Sequence, residues 1–265
     1  MRKPDGRPQV VAHRGASDVK AEHTLGAYVQ ALDDGADALE ADVRLTADGH
    51  LVCVHDRRTE RTTGARGVVS TMKLADLDVL DASAWKNPWS DFDEEAEDTD
   101  FDQKRVLSLR RLLEVVSSYE RHVELAIETK HPTRYAGLVE RRLVETLRDF
   151  GWAGKGSPAR MMSFSAVAAT RVRKLAPDLE VVLLMDRALS WKSTRAMLRP
   201  GWIAGPGMAQ LREHPRLARR LREDGHRVHV WTVNTLTDLE LCLDLGVEAV
   251  ITDRPAQVLS WLDGV

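Results

Sequence analysis

Cysteine is almost absent from this chain: Cys53 and Cys242 are its only thiols, far apart and part of no CxxC or CxH pair. A disulfide framework or structural zinc site is therefore not indicated, and both residues read as buried free thiols. Long hydrophobic runs are missing too, since stretches such as Val181 to Met185 fall far short of the ~20 residues a membrane span needs. Met1 to Gln9 is polar and lacks the apolar core of a secretion signal, so the expectation is a soluble, cytoplasmic protein. There is no excess of positive charge. The formal net charge is −3 and the pI about 6.3, and neither an RRM-like nor a C2H2 signature occurs, which argues against nucleic acid as a partner. A small or metal-bridged substrate fits better.

What is present is ordinary globular material, 43% hydrophobic and 30% charged over 265 residues, a length close to the ~250 residues typical of one α/β barrel. Short apolar runs alternate with stretches of helical periodicity, separated by turn residues such as Gly15 and Gly35. Eight candidate parallel strands fall near residues 10, 40, 126, 162, 183, 203, 231 and 250. This rhythm predicts an α/β fold, a (β/α)8 TIM barrel spanning 1–265 as one domain. A continuous helix is expected over Tyr135 to Phe150 and another over Ala209 to Arg222.

One segment breaks the rhythm. The Asp48-Gly49 turn between Ala38–Leu45 and Leu51–His55 predicts a hairpin at the rim, followed by an insertion over about 57–105 without clean βα order. Within it, Asp91, Asp93, Glu94, Glu95, Glu97, Asp98, Asp100 and Asp102 make an acidic run; without these eight acids the net charge would be +5. The run reads as a solvated loop. An EF-hand is excluded because Ala96 stands where the sharp turn needs glycine.

Active sites of such barrels form where strands end, so polar residues closing apolar strands carry the functional signal. His13-Arg14-Gly15, Glu40-Ala41-Asp42, His55-Asp56 and Glu128-Thr129-Lys130 are four such endings. Strand alternation puts Glu40 and Asp42 on one face and Glu128 and Lys130 on one face. Converging carboxylates repel unless a cation or protons intervene, and all-oxygen ligands select a hard ion, Mg2+ or Ca2+. The competing reading makes these acids salt-bridge partners of Arg14 and Lys130. His13 and His55 suit a general acid and base across a scissile bond. Arg14 and Lys130 suit phosphate oxygens. Together these groups point to phosphoryl transfer from a diester.

In this arrangement the chain resembles the glycerophosphodiester phosphodiesterases, which share the barrel of the phosphatidylinositol-specific phospholipase C group. The resemblance rests on His13-Arg14-Gly15, Glu22 before Thr24, Gly35-Ala36-Asp37 leading to Glu40 and Asp42, the Asp48-Gly49 turn, His55-Asp56, Glu128 and Lys130, Ser163-Phe164, Trp231-Thr232-Val233-Asn234 and Thr252-Asp253-Arg254-Pro255. It implies metal ligation by Glu40, Asp42 and Glu128, acid/base work by His13 and His55, and phosphate binding by Arg14 and Lys130. The implied reaction releases sn-glycerol 3-phosphate and an alcohol, with the substrate 2-hydroxyl attacking phosphorus to give a cyclic phosphate that is then hydrolysed.

The chain departs from the family at Ala21-Glu22-His23-Thr24, where Pro-Glu-Asn-Thr is usual; Glu22 keeps a ligand or supporting role near the metal. Trp231 is expected to wall the glycerol site and Asp253 to cap the last helix. His226 and His229 are expected to be structural. Ser163 and Asn234 either hydrogen-bond substrate or hold βα turns. Two alternative activities are lysophospholipase D-type hydrolysis of lysophospholipids and a Mg-dependent barrel lyase or aldolase, with a non-catalytic binding protein as a third reading. The acidic run predicts a preference for water-soluble, deacylated substrates over lipids in anionic bilayers.

Overall fold

A computed structural model of the chain describes residues 6–86, 100–186 and 191–264. The elements follow in the order β1 (Gln9–His13), α1 (Leu25–Asp33), β2 (Ala38–Leu45), β3 (Leu51–Cys53), α2 (Glu60–Thr63), α3 (Leu74–Asp78), α4 (Leu109–Ser118), β4 (Glu124–Thr129) and α5 (Leu138–Asp149). They continue with β5 (Ala159–Ser163), α6 (Ala166–Leu175), β6 (Glu180–Met185), α7 (Trp191–Met197), β7 (Ile203–Pro206), α8 (Met208–Glu213), α9 (Arg216–Glu223), β8 (His229–Trp231), α10 (Leu236–Asp244), β9 (Ala249–Thr252) and α11 (Pro255–Asp263).

Eight strands pair in parallel in the order β7-β6-β5-β4-β2-β1-β9-β8. Two single parallel bridges, Ala204 to Val228 and Gly207 to Trp231, bring the ends of that sheet together into a nearly closed barrel. All eight strands lie where the apolar runs predict them. β3 pairs antiparallel with β2, Val43 opposite Cys53 and Leu45 opposite Leu51, which is the expected hairpin.

Alternation along the strands sorts the side chains. Val11, Ala38, Ala126, Met162, Val182, Ile203, Ala249 and Ile251 form an apolar plug to which, with Trp231, every parallel strand contributes. A larger core lies between the strands and the helices, with Leu39, Leu125, Leu143 and Val172 among its members. Below the plug, fully buried Arg160 donates to Glu124 (2.6 Å) and to Gln9 (2.7 Å). Above it the inward positions become His13, Glu40 and Glu128. The plug thus leaves polar side chains only at the barrel ends, and the strand C-termini carry the acids.

The helices show why sequence pattern succeeds and where it stops. Thr24, Ser108, Ser165 and Thr235 each cap the following helix, their side-chain oxygens accepting a backbone N–H of its first turn, a contact worth ~1 kcal/mol apiece. α4, just after the irregular 57–105 stretch, is a helix not among those expected; Leu109, Leu112, Leu113 and Val116 supply its buried stripe. The expected helix over Ala209–Arg222 is two, because the chain breaks at His214-Pro215 between α8 and α9. Proline cannot donate to the preceding turn but is accepted where a new helix starts. α5 begins at Leu138 rather than Tyr135. Val69, Leu77 and Ala82 of the insertion join Val52, Val54 and Val106 in a separate small core under the rim. Of the acidic run, 91–99 lie outside the described residues. No helix among the described residues is long and apolar enough to cross a membrane.

Candidate active site

His13 ends β1, and the chain then turns sharply through Arg14 and Gly15, both at positive φ (59° and 84°). Gly15 is required twice over, since a Cβ there would sit 2.6 Å from the Ala27 carbonyl. The turn aims the Arg14 amide at the Glu40 carboxylate, 3.1 Å from Oε2. Arg14 Nε lies 2.9 Å from Asp42 Oδ2, and its Nη1 donates to Glu22 at 3.1 Å.

Glu40, Asp42 and Glu128 are buried and each offers a carboxylate oxygen within 4.8 Å of the other two. Lys130 Nζ is 2.9 Å from both Asp42 Oδ1 and Glu128 Oε1. Both sequence readings of these acids therefore hold some truth: they converge, and Arg14 and Lys130 lie against them. The cations do not fully neutralise the cluster. Burial, then repulsion from Asp42, pushes Glu40 well above the usual carboxylate range and Glu128 up to about 8. For Asp42 burial acts in the same direction, but His23, Lys130 and Arg14 together outweigh it and hold this acid well below its usual range. Asp42 Oδ1 receives no well-directed hydrogen bond. Three buried acids, two of them driven towards protonation, and an oxygen without an aligned donor are what a divalent cation would relieve, so the residues fit one.

His23, in the place of the family asparagine, is fully built into this cluster. Its Nε2 lies 3.0 Å from Asp42 Oδ2 and its Nδ1 2.8 Å from the Tyr28 hydroxyl. Burial outweighs the attraction of Asp42 and lowers its pKa to about 4, so the neutral ring donates to Asp42 and accepts from Tyr28.

Each of the other two histidines is held by a carboxylate at Nδ1. His13 meets Asp253 Oδ1 at 2.6 Å and His55 meets Asp56 Oδ1 at 2.8 Å. Asp253 also accepts from Ser17 Oγ (3.1 Å) and Asn234 Nδ2 (2.6 Å). Burial alone would raise its pKa, but those three donors overcome it and hold the value down to about 2. Burial, with Lys130 and Arg14 nearby, lowers the pKa of His55. Asp253 is therefore not the expected cap of the last helix; Arg254 occupies that position. Asn234 accepts from Thr252 Oγ1 and the Asp253 amide, which makes it a brace between β8 and β9. Ser163 is likewise structural, donating to the Thr129 carbonyl.

Arg61, which the sequence pattern did not single out, ties the site together. It grips Glu22 bidentately (2.9 and 2.7 Å) and reaches Asp56 at 2.5 Å. Glu22 thus stands outside the triad, between Arg14 and Arg61; burial would raise its pKa, but these arginines outweigh that and hold it at about 2. The sole signal for Arg61 was its place six residues after His55; its partners lie 39 positions upstream and five positions back.

A cavity of about 300 Å3 opens here, with His13, Arg14, Glu40, His55, Glu128 and Lys130 on one side and Met162, Phe164, Leu184, Trp231 and Ile251 on the other. Trp231 is fixed by its indole N–H donating to the Gly205 carbonyl (2.8 Å) and by edge contact with Phe164, ring centroids 5.4 Å apart. His229 is buried at the other end of β8 and His226 bonds the Trp202 carbonyl, so neither faces this cavity.

A barrel with acids, imidazoles and cations gathered at the C-terminal ends of its strands defines the class, that of α/β-barrel enzymes. Comparison with known proteins narrows it. Residues 13–257 match the model of the Glycerophosphoryl diester phosphodiesterase family. The chain is 43% identical to a Mycobacterium tuberculosis protein named "Probable glycerophosphodiester phosphodiesterase 1", over 97% of this chain and 93% of that one. It is 35% identical to the glycerophosphodiester phosphodiesterase of Bacillus subtilis, over 95% and 85%. Among solved structures it is similar to an Oleispira antarctica phosphodiesterase in complex with the product sn-glycerol-3-phosphate, with a TM-score of 0.82, 25% identity and 98% of each chain covered. The chain belongs to the glycerophosphoryl diester phosphodiesterase family. It is accordingly an enzyme, and its activity is that of a glycerophosphodiester phosphodiesterase.

Proposed function

We propose that the chain hydrolyses glycerophosphodiesters to sn-glycerol 3-phosphate and an alcohol, with a divalent cation, Mg2+ or Ca2+, held by Glu40, Asp42 and Glu128 and with His13 and His55 as the acid/base pair. The observation that carries this reading is the meeting, in one cavity, of an acid cluster too crowded to be stable alone with two imidazoles each anchored by a carboxylate. The product bound to the Oleispira relative supports the side of the phosphate on which cleavage falls. A cation at the triad would neutralise the phosphate and polarise its oxygens.

The chain's own residues do the rest. Arg14 and Lys130 supply positive charge to the phosphate side of the cavity, and Trp231 with Phe164 walls the glycerol. Asp253 and Asp56 engage each Nδ1, leaving each Nε2 for substrate. His55, with its lowered pKa, is the neutral ring at pH 7 and takes the proton of the attacking hydroxyl, the substrate's own 2-hydroxyl in this account. His13, its ring held by Asp253 at Nδ1, delivers a proton to the departing alcohol, and water then opens the resulting cyclic phosphate to sn-glycerol 3-phosphate with the two rings exchanging roles. Glu22 and Arg61 keep Arg14 and Asp56 in register. Family membership sets aside the lyase or aldolase reading. The test is product identification by phosphorus NMR with glycerophosphocholine: sn-glycerol 3-phosphate and choline are expected, whereas phosphocholine and glycerol refute the assignment. Unchanged cleavage of a 2-deoxy analogue would refute the attack by the 2-hydroxyl.

A further inference from the structure

Beside the catalytic cavity lies a second, narrower recess. The β2–β3 hairpin, the loop after β3 and the loop after β4 enclose it. Its walls carry Arg44, Arg57, Lys130 and Arg134 with the hydroxyls of Ser70 and Thr133, and no carboxylate is among the described residues that line it. Lys130 lines both this cleft and the catalytic cavity. Arg44 donates from Nε and Nη2 to the carbonyl of His55, at 2.9 and 2.8 Å. The cleft therefore starts on the far side of the wall that carries the reacting groups.

Its charges are not all spoken for. Lys130 faces Asp42 and Glu128, but Arg44 spends its donors on a neutral carbonyl. Arg57 has no ion-pair partner among the described residues, and Arg134 has only the face of Tyr135, 5.9 Å from its ring centroid. Arg44 is partly buried. A half-buried guanidinium with no carboxylate in direct contact is held at a cost that an anion lowers. The space, about 30 Å3, admits one compact charged group and excludes a ring or an acyl chain.

We propose that this cleft is an anion subsite for the alcohol side of the substrate, so that the enzyme favours glycerophosphodiesters whose alcohol bears a second phosphate. The proposal rests on the function argued above and names the substrate class within it. Two substrates that differ by one group test it: glycerophosphoglycerol and the same compound phosphorylated on its second glycerol. The comparison enzyme carries Arg57→Ser with Arg134→Ser, two exposed residues outside the catalytic cavity.

Wild-type kcat/KM for the phosphorylated compound should exceed that for glycerophosphoglycerol by about tenfold or more at low ionic strength, and about 0.5 M NaCl should erase most of the difference. In the double variant the ratio should fall to within about threefold, while kcat/KM for glycerophosphoglycerol stays within about twofold of wild type. Equal rates on the two compounds by the wild type, or a preference that survives in the double variant, overturns the subsite and leaves the activity standing. Absence of turnover on both compounds by the wild type sinks the activity itself, and the subsite with it.

Discussion

The substitution Asp253→Asn would keep the shape of the side chain and reverse one of its hydrogen bonds. All three side chains that contact the Asp253 carboxylate are donors: His13 Nδ1 and Ser17 Oγ at Oδ1, Asn234 Nδ2 at Oδ2. The introduced amide must place its NH2 against one of these sets. Facing Asn234 it would meet another NH2 at about the present 2.6 Å. Asn234 cannot flip to help without losing the two bonds its Oδ1 accepts, from the Thr252 hydroxyl and from the backbone N–H that follows Thr252. The NH2 therefore turns to His13, makes Nδ1 an acceptor and moves the ring proton to Nε2. That tautomer cannot accept a proton from substrate, and an imidazolium there would face a donor instead of a carboxylate. Either role of His13 suffers, and carboxylate-to-amide changes behind a catalytic histidine cost up to ~10⁴ in kcat. A loss of about 10²- to 10⁴-fold is expected, equivalent to ~3–5 kcal/mol of transition-state stabilisation, and it should not be additive with His13→Ala. The assay is coupled release of sn-glycerol 3-phosphate, with thermal unfolding as the control for folding. A variant within threefold of wild type in kcat, at unchanged Tm, would refute the assignment of Asp253 and with it the orientation argued for His13.

Two further outcomes follow from the same geometry. His55→Ala should lower kcat by about 10²- to 10⁴-fold without loss of fold; a decrease below tenfold for both this variant and His13→Ala would return the histidines to structural roles. His23 gives a pH signature of stability: burial lowers its folded pKa to about 4 from the ordinary 6.5, so the unfolded chain takes up the proton first. Stability is fully present above about 6.5 and is lost as pH falls towards 4, on the order of 3 kcal/mol in the metal-free protein. His23→Asn should flatten that slope in urea titrations at pH 7 and pH 5, and an unchanged slope would show that the proton is taken up elsewhere.

The parts of the fold that sequence makes legible are those with local periodicity. Eight apolar runs mark eight strands, Asp48-Gly49 marks the hairpin, and polar residues closing β1, β2 and β4 mark the acids and His13. What escaped the sequence reading is held by distant contacts. Asp253 looks like a helix cap because Arg254-Pro255 follows it, yet its partner His13 lies 240 positions away. Arg61 looks like one more surface arginine in a charged loop until the fold brings Glu22 and Asp56 to it. The single helix expected across α8 and α9 fails for a local reason that was visible: Pro215 interrupts an otherwise unbroken amphipathic pattern.

Divalent metal dependence tests the central claim most directly, because Arg14, His23 and Lys130 all bear on the Glu40, Asp42 and Glu128 cluster. The protein, stripped with chelator and freed of it by gel filtration, should turn over no glycerophosphocholine, regain activity on titration with Mg2+ or Ca2+, and show one binding event by calorimetry that Glu40→Gln weakens. Full activity in the stripped protein, with metal content verified as negligible, would contradict the account.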